Sequence, residues 1–259
     1  MQAREALRIG CVKYLNARPL ICGWLGEVEF DHPSVLCQRL ARRELDVALV
    51  SSFEFLRNPI YQIVDDVAIA SAGKVYSVFV AWVGEARPSK IEVDPASTTG
   101  VALLQYLMAA RGEKLSAVDP PEERLSPLQT KRGRLLIGDQ AIRFRQKFGD
   151  AYKYWDLGEE WQKNFDLPFV YALWLIRPEV LDAKSVAQEL RAVRDKNLAR
   201  LEEVTAAEKE FDRDFCKFYY QECLHFRFGE KEKEGLRTFQ QLCAKHGLLP
   251  KRDVEFAMV

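Results

Sequence analysis

The feature of this sequence that most constrains its fold is a regular alternation of apolar, strand-like runs with helical segments. In the first 70 residues the apolar runs cover 7–15, 28–31, 46–52 and 61–70. Alternation of this kind is typical of a parallel sheet with crossover helices. The pattern begins again after residue 88, with apolar runs near 91–94 and 134–142 and a helical pattern between them.

Two longer apolar runs, VYSVFVAW and PFVYALWLIRPE, are well placed to carry the chain between two halves. From residue 183 onward the apolar spacing predicts helices. The sequence therefore predicts a two-lobed α/β protein with a ligand cleft between the lobes. Lobe I comprises residues 1–83 and 172–259, including the C-terminal helices, and lobe II comprises residues 84–171.

Polar side chains follow the ends of several predicted strands. In open α/β sheets, ligands bind outside the carboxyl ends of the strands. Most of these side chains are neutral hydrogen-bonding groups, joined by one arginine and one helix N-terminus that favours anions. The set predicts a site for a small, polar, anionic organic molecule. Its members are Asn16, Arg18, Ser51, Ser52, Ser77, Ser97, Thr98, Thr99 and Asp139.

The stretch CVKYLNARPL opens this set. On an extended segment, Tyr14, Asn16 and Arg18 alternate and so share one face, and Pro19 ends the strand. Asn16 has no helix to cap, so we expect it to face a ligand.

Capping is the alternative interpretation for the other short polar side chains. Ser51 and Ser52 precede a helical turn at 53–57, and either is a good N-cap. We expect Ser97 or Thr99 to cap the helix at 100–112, and Asp139 has a similar position before Gln140. Ser34 is predicted to cap the helix that begins near residue 35.

Composition argues against several function classes. The 38 basic and 38 acidic residues balance, which gives no basis for a nucleic-acid partner. No run of 18 apolar residues and no secretory signal is present, and none of the six cysteines forms a CxxC pair. These features predict a cytoplasmic protein with reduced thiols and no membrane partner. The three histidines lack metal-ligand spacing, and no nucleotide-binding or hydrolase motif occurs.

Several stretches together resemble a known family. They occur in the order VKYLNARPL, ELDVALVSS, YQIVDDVAIASAGKVYSV, the segment 94–104, IGDQA, DLGEEW and LPFVYALW. This chain resembles the chorismate dehydratases of the futalosine route to menaquinone over about residues 7 to 178. The resemblance implies the two-lobed fold of type II periplasmic binding proteins.

The resemblance also implies a cytoplasmic lyase that needs no cofactor. Such an enzyme removes water from chorismate to give 3-[(1-carboxyvinyl)oxy]benzoate. Asn16, at the position of the family's motif asparagine, would supply a hydrogen bond to the leaving hydroxide or orient the substrate. Arg18, the hydroxyls and a helix N-terminus would hold the two carboxylates. Two proton acceptors stay open: the enolpyruvyl carboxylate of the substrate itself, and Asp139.

The sequence departs from the family's pattern in two places that bear on carboxylate contacts. Gly100 stands where the family has a hydroxyl residue. Ala81 and Trp82 follow SVFV where the family has a small hydroxyl residue.

Three other functions are compatible with the fold. The sister enzyme of the same pathway, which cleaves a cyclic futalosine derivative, uses a histidine in lobe II, but residues 84–171 contain none. A solute receptor would need export. A cytoplasmic small-anion sensor without catalysis is the third possibility.

Overall fold

A computed structural model describes residues 7–94, 97–121, 126–128 and 131–259 and contains two five-stranded sheets. The first sheet has the order β2-β1-β3-β10-β4. Its strands are β1 (Ile9–Val12), β2 (Val28–Asp31), β3 (Val47–Ser51), β4 (Gln62–Ser71) and β10 (Phe169–Ile176). Strand β1 runs parallel to β2 and β3, and β10 runs antiparallel to β3 and β4.

Helices α1 (Arg18–Ile21), α2 (Pro33–Ala41) and α3 (Ser52–Arg57) connect the early strands of this sheet. Leu36 and Leu40 on α2 and Leu45 just after it are fully buried, because the apolar side of α2 packs on the sheet. The prediction that Ser34 caps α2 is wrong. The N-cap position belongs to His32, and the Ser34 hydroxyl lies 3.0 Å from His32 Nδ1 inside the first turn.

The second sheet has the order β7-β6-β8-β5-β9. Its strands are β5 (Val78–Trp82), β6 (Lys90–Glu92), β7 (Ser116–Val118), β8 (Gly133–Ile137) and β9 (Lys153–Asp156). Helices α4 (Thr98–Ala110), α5 (Gly138–Phe148) and α6 (Leu157–Phe165) accompany them. Strand β6 pairs in parallel with β7 and β8, whereas β5 pairs antiparallel with β8 and β9.

Each apolar run predicted to pass between the lobes forms a strand within one sheet: β5 in the second and β10 in the first. The chain therefore passes between the sheets at residues 72–77 and 157–168. The lobe bounds at 83/84 and 171/172 stay a prediction.

The C-terminal part is helical, as predicted. It comprises α7 (Ala183–Ala199), α8 (Leu201–Ala206), α9 (Arg213–Phe218), a π-helix (Tyr219–Cys223) and α10 (Glu230–Lys245). The buried Arg194 guanidinium joins α7 to β4 through a 2.7 Å ion pair with Asp66. The six cysteines are free, five of them buried. None of the helices in the described part of the chain is long and apolar enough to cross a bilayer.

Candidate active site

A cavity lies between the two sheets, with an empty volume of about 700 Å³ that includes space open to solvent. Strands β1, β3, β4 and β10 line it from the first sheet, and β5 and β8 line it from the second. The beginning of α4 completes the wall. The polar residues of its lining are Tyr14, Asn16, Ser51, Ser77, Ser97, Thr98, Thr99 and Tyr171. Among the described residues, those lining the cavity carry no charged side chain.

Six of the nine predicted site residues line this cavity, and the structure thus brings them together from distant parts of the chain. They are Asn16, Ser51, Ser77, Ser97, Thr98 and Thr99. Whether they contact a substrate stays a prediction.

The extended conformation expected after β1 is wrong. The strand ends at Val12, and a 3₁₀-helix at Leu15–Ala17 leads directly into α1. Tyr14, Asn16 and Arg18 therefore do not share one face. Asn16 still reaches the cavity, and its Oδ1 atom is buried without a hydrogen-bond partner among the described residues. An unpaired buried carbonyl is costly, so this atom is available to a ligand.

Hydroxyl groups from β3 and α4 form a cluster on one wall. Ser51 Oγ lies 2.9 Å from Thr98 Oγ1, and it also contacts Thr99 Oγ1. Thr99 Oγ1 accepts a 3.3 Å hydrogen bond from the Phe53 backbone N–H. The expectation that Ser97 or Thr99 caps α4 is wrong, because the N-cap Ser97 makes no side-chain capping bond and Thr99 points to β3.

Three predicted residues do not line the cavity. The buried Ser52 hydroxyl donates to the Val170 carbonyl at 2.6 Å and so ties α3 to β10. Arg18 forms a 2.8 Å ion pair with Glu208, whose side chain is only 2% exposed. Their roles in substrate binding stay predictions, and for Arg18 that role requires Glu208 to release it.

Asp139, the third, lies in the first turn of α5 but does not cap that helix. Its Oδ1 atom instead accepts a 2.8 Å hydrogen bond from the backbone N–H of Leu15, the residue before Asn16. Burial raises the pKa of this carboxyl from 3.8 to about 6, although the Leu15 hydrogen bond acts in the opposite direction. The carboxylate therefore joins the second sheet's α5 to the Asn16 segment.

Gly138, immediately before Asp139, has a positive φ of 57°. A Cβ atom there would lie 3.0 Å from the Tyr14 ring, so both the backbone turn and this close approach favour glycine. Tyr14 lines the cavity, and burial, followed by the nearby Asp139 and Asp94 charges, raises the pKa of its hydroxyl to about 12.

Besides Tyr14, two tyrosines at or near the cavity are absent from the predicted set. Tyr171 lies within the apolar run of β10, where nothing in the local sequence marks a single tyrosine as a site residue. Its hydroxyl lies 3.0 Å from Ser71 Oγ. Tyr219 lies far along the helical tail, and its hydroxyl lies 2.6 Å from Ser77 Oγ. Only the tertiary fold brings Tyr219 to this site.

The two departures from the family's pattern lie in different places. Gly100 lines the cavity, and a Cβ atom there would meet Ile137 at 3.4 Å, an ordinary contact. Trp82 is buried at the end of β5 and is not among the cavity residues.

The sequence is similar to a family of menaquinone biosynthesis and to two chorismate dehydratases. The family model described as menaquinone biosynthesis matches residues 7–245. Chorismate dehydratase from Thermus thermophilus is 33% identical over 227 residues, which cover 77% of this chain and 80% of that protein. Chorismate dehydratase from Campylobacter jejuni is 26% identical over 232 residues, covering 89% and 90%.

A solved structure supports the predicted fold. The periplasmic aliphatic sulphonate binding protein SsuA from Escherichia coli superimposes with a TM-score of 0.65 at 11% identity, covering 98% of this chain and 91% of that one. At this identity the likeness concerns the fold alone. It confirms the expected fold of periplasmic binding proteins.

Proposed function

Because this chain belongs to the menaquinone-biosynthesis family that includes the chorismate dehydratases, we propose that it dehydrates chorismate. The product is 3-[(1-carboxyvinyl)oxy]benzoate, and the reaction is that of a hydro-lyase. The cavity between the sheets is the proposed substrate site. The observation that carries the proposal is the convergence of six predicted polar residues on this cavity.

In this reaction the C–O bond to the ring hydroxyl and a C–H bond on the neighbouring ring carbon both break. The electrons of the C–H bond complete the aromatic ring, and hydroxide and proton leave as water. Aromatisation makes the step favourable, so the proposed mechanism needs no cofactor. The protein's part is to hold the substrate, stabilise the departing hydroxide and exclude bulk water.

Neutral donors hold the substrate carboxylates in this proposal. The hydroxyls of Ser51, Thr98 and Thr99 lie next to the N-terminus of α4, where the first backbone N–H groups lack helical partners. The positive end of the helix dipole favours an anion at this position.

Asn16 is the proposed catalytic residue, since its side chain reaches the same cavity. We propose that it orients the substrate or hydrogen-bonds the departing hydroxide.

The enolpyruvyl carboxylate of the substrate is the proposed proton acceptor. The alternative acceptor, Asp139, has a pKa suited to a general base, but it does not line the cavity and one of its oxygens is occupied by Leu15 N–H. If Asp139→Asn folds like the wild type yet loses nearly all turnover, the carboxylate of the substrate is not the base.

The test is to incubate the purified protein with chorismate and follow products by liquid chromatography with mass detection. We expect a species lighter by one water with a benzoate-type ultraviolet spectrum. Asn16→Ala should abolish its formation. Asn58→Ala, which removes an amide bonded to Glu54 and not part of the cavity lining, should retain it. Unchanged chorismate from folded wild-type protein would contradict the proposal and favour the sister substrate or a sensing role.

A further inference from the structure

Tyr219 lies behind two of the residues that line the cavity. It begins the π-helix and is fully buried, and it is not itself a lining residue. Its hydroxyl lies 2.6 Å from Ser77 Oγ, and the Asn16 side chain lies next to it. A single phenol therefore lies beside two polar groups that reach the cavity from different parts of the chain, and it forms a hydrogen bond with one of them, Ser77.

Two hydrogen-bonding atoms of this group bear on the cavity. Asn16 Oδ1 has no partner among the described residues, so it is an acceptor that a ligand can use. In the bond between Ser77 and Tyr219 either oxygen can be the donor. When the phenol donates to Ser77 Oγ, the Ser77 hydrogen is left for the cavity and serves there as a donor.

The surroundings of Tyr219 fix its hydroxyl in place. Its ring stacks on Phe215 with the centroids 5.9 Å apart and the planes within 10°. Burial raises the pKa of the hydroxyl far above its ordinary range, so the phenol keeps its hydrogen at any working pH. The π-helical conformation is rare and occurs frequently at functional sites.

We propose that Tyr219 is a positioning residue: it donates to Ser77 and so directs the Ser77 O–H toward the departing hydroxyl of the substrate. This inference rests on the proposed function. Ser77 then stabilises the negative charge that develops on the leaving oxygen, and Tyr219 acts only through Ser77.

Tyr219→Phe tests the proposal, because it removes the hydroxyl and keeps the stacked ring. We expect kcat to fall about 10- to 100-fold with KM little changed, since the lost orientation matters mainly in the transition state. Tyr220→Phe is the matched variant. It removes a buried hydroxyl from the same π-helix, one that donates to the Leu15 carbonyl at 2.9 Å. We expect its kcat to stay within about threefold of the wild type. Equal kcat losses in both variants would show that only packing of the π-helix matters and would overturn the proposal.

A double-variant cycle separates positioning from general structural damage. In a Ser77→Ala background the hydroxyl of Tyr219 has no serine left to direct, so adding Tyr219→Phe should change kcat by less than about twofold. Full additivity of the two losses would contradict the proposal.

A crystal structure of Tyr219→Phe gives a readout that does not depend on activity. We expect the Ser77 side chain to adopt a changed conformer or several conformers. An unchanged single conformer of Ser77 would overturn the positioning role. Wild-type protein that leaves chorismate unchanged would overturn the proposed function instead, and the crystal structure would still decide the role of Tyr219.

Discussion

At the residue scale, Asp139 combines a structural contact with an unfavourable charge. Its carboxylate accepts the Leu15 N–H but is largely removed from water, and this burial raises its pKa to about 6. In the unfolded chain the same group has a pKa near its ordinary value of 3.8. The native state therefore binds the proton more tightly than the unfolded state does. The stability that the protonated carboxyl contributes is fully present below about pH 4 and is lost as the pH rises through about 6.

We predict that Asp139→Asn increases the free energy of unfolding at pH 7 relative to the wild type. The amide oxygen can still accept the Leu15 N–H, but no charge is buried. The rise in pKa from 3.8 to about 6 corresponds to at most about 3 kcal/mol. The gain should shrink as the pH is lowered from 6 to 4. Urea unfolding across this range measures it.

Asp46→Asn is the control for this prediction, because Arg8 lowers the pKa of Asp46 through a side-chain hydrogen bond. That substitution should reduce stability at pH 7, the opposite sign. A stability loss at pH 7 for Asp139→Asn would show that the buried carboxylate stabilises the native state, contrary to the direction of its pKa shift.

Individual residues show how far the sequence leads. The sequence points to Asn16 because a strand-end amide has nothing to cap, and Asn16 lines the cavity although its segment is a 3₁₀-helix. Its contact with a ligand stays a prediction. The predicted face shared with Arg18 is wrong, because a helical turn rotates Arg18 away toward Glu208. Tyr219 could not be predicted, since its proximity to Ser77 spans 142 positions in sequence.

At the element scale, the start of α4 bears directly on the cavity. Its N-cap residue Ser97 is buried and lines the cavity, yet its hydroxyl makes no capping bond. By contrast, the N-cap Asp212 of α9 accepts hydrogen bonds from Asp214 and Phe215 N–H. The start of α4 is therefore left open toward the cavity.

We predict that Ser97→Ala separates binding from stability. Since no capping bond is lost, the free energy of unfolding should fall by less than about 0.5 kcal/mol, whereas Asp212→Ala should cost about 1 kcal/mol. KM for chorismate should rise about tenfold for Ser97→Ala and stay unchanged for Asp212→Ala. Thermal unfolding and steady-state kinetics measure the two effects. Equal stability losses would show that Ser97 serves as an ordinary cap.

The long buried strands and the short strands β2 and β6 were predictable from the sequence, whereas β7 and β9 were not. Strands β3, β4, β8 and β10 are buried on both faces and therefore read as continuous apolar runs. Strand β7 has three residues and is largely exposed, and the aromatic residues of β9 resemble packing under a loop. Their pairing with β6 and β5 depends on distant residues, so local patterns give no sign of it.

At the scale of the whole molecule, the protein has no net charge and its described cavity lining is uncharged. A substrate with two carboxylates would then be held by neutral donors and a helix dipole at close range. Salt screens such short, buried interactions weakly.

We predict that KM for chorismate changes by less than about threefold between about 0.05 and about 0.5 M potassium chloride. If Arg18 leaves Glu208 and binds a carboxylate at the cavity mouth, KM should rise steeply with salt, and Arg18→Gln should abolish that rise. Circular dichroism at each salt concentration checks that the fold is unchanged.

The connectivity of the two sheets has a consequence for synthesis of the chain. The second sheet is built from one continuous stretch, residues 78–156, whereas β10 enters the first sheet between β3 and β4 only after that stretch is complete. During synthesis, β3 and β4 cannot pair with β10, the strand between them, until the chain beyond residue 169 has been made. By then all the strands of the second sheet have already been synthesised. Closing so long a loop is entropically costly and slows folding. The wall of the cavity that carries α4 can therefore form first, and the wall that carries β3 forms onto it.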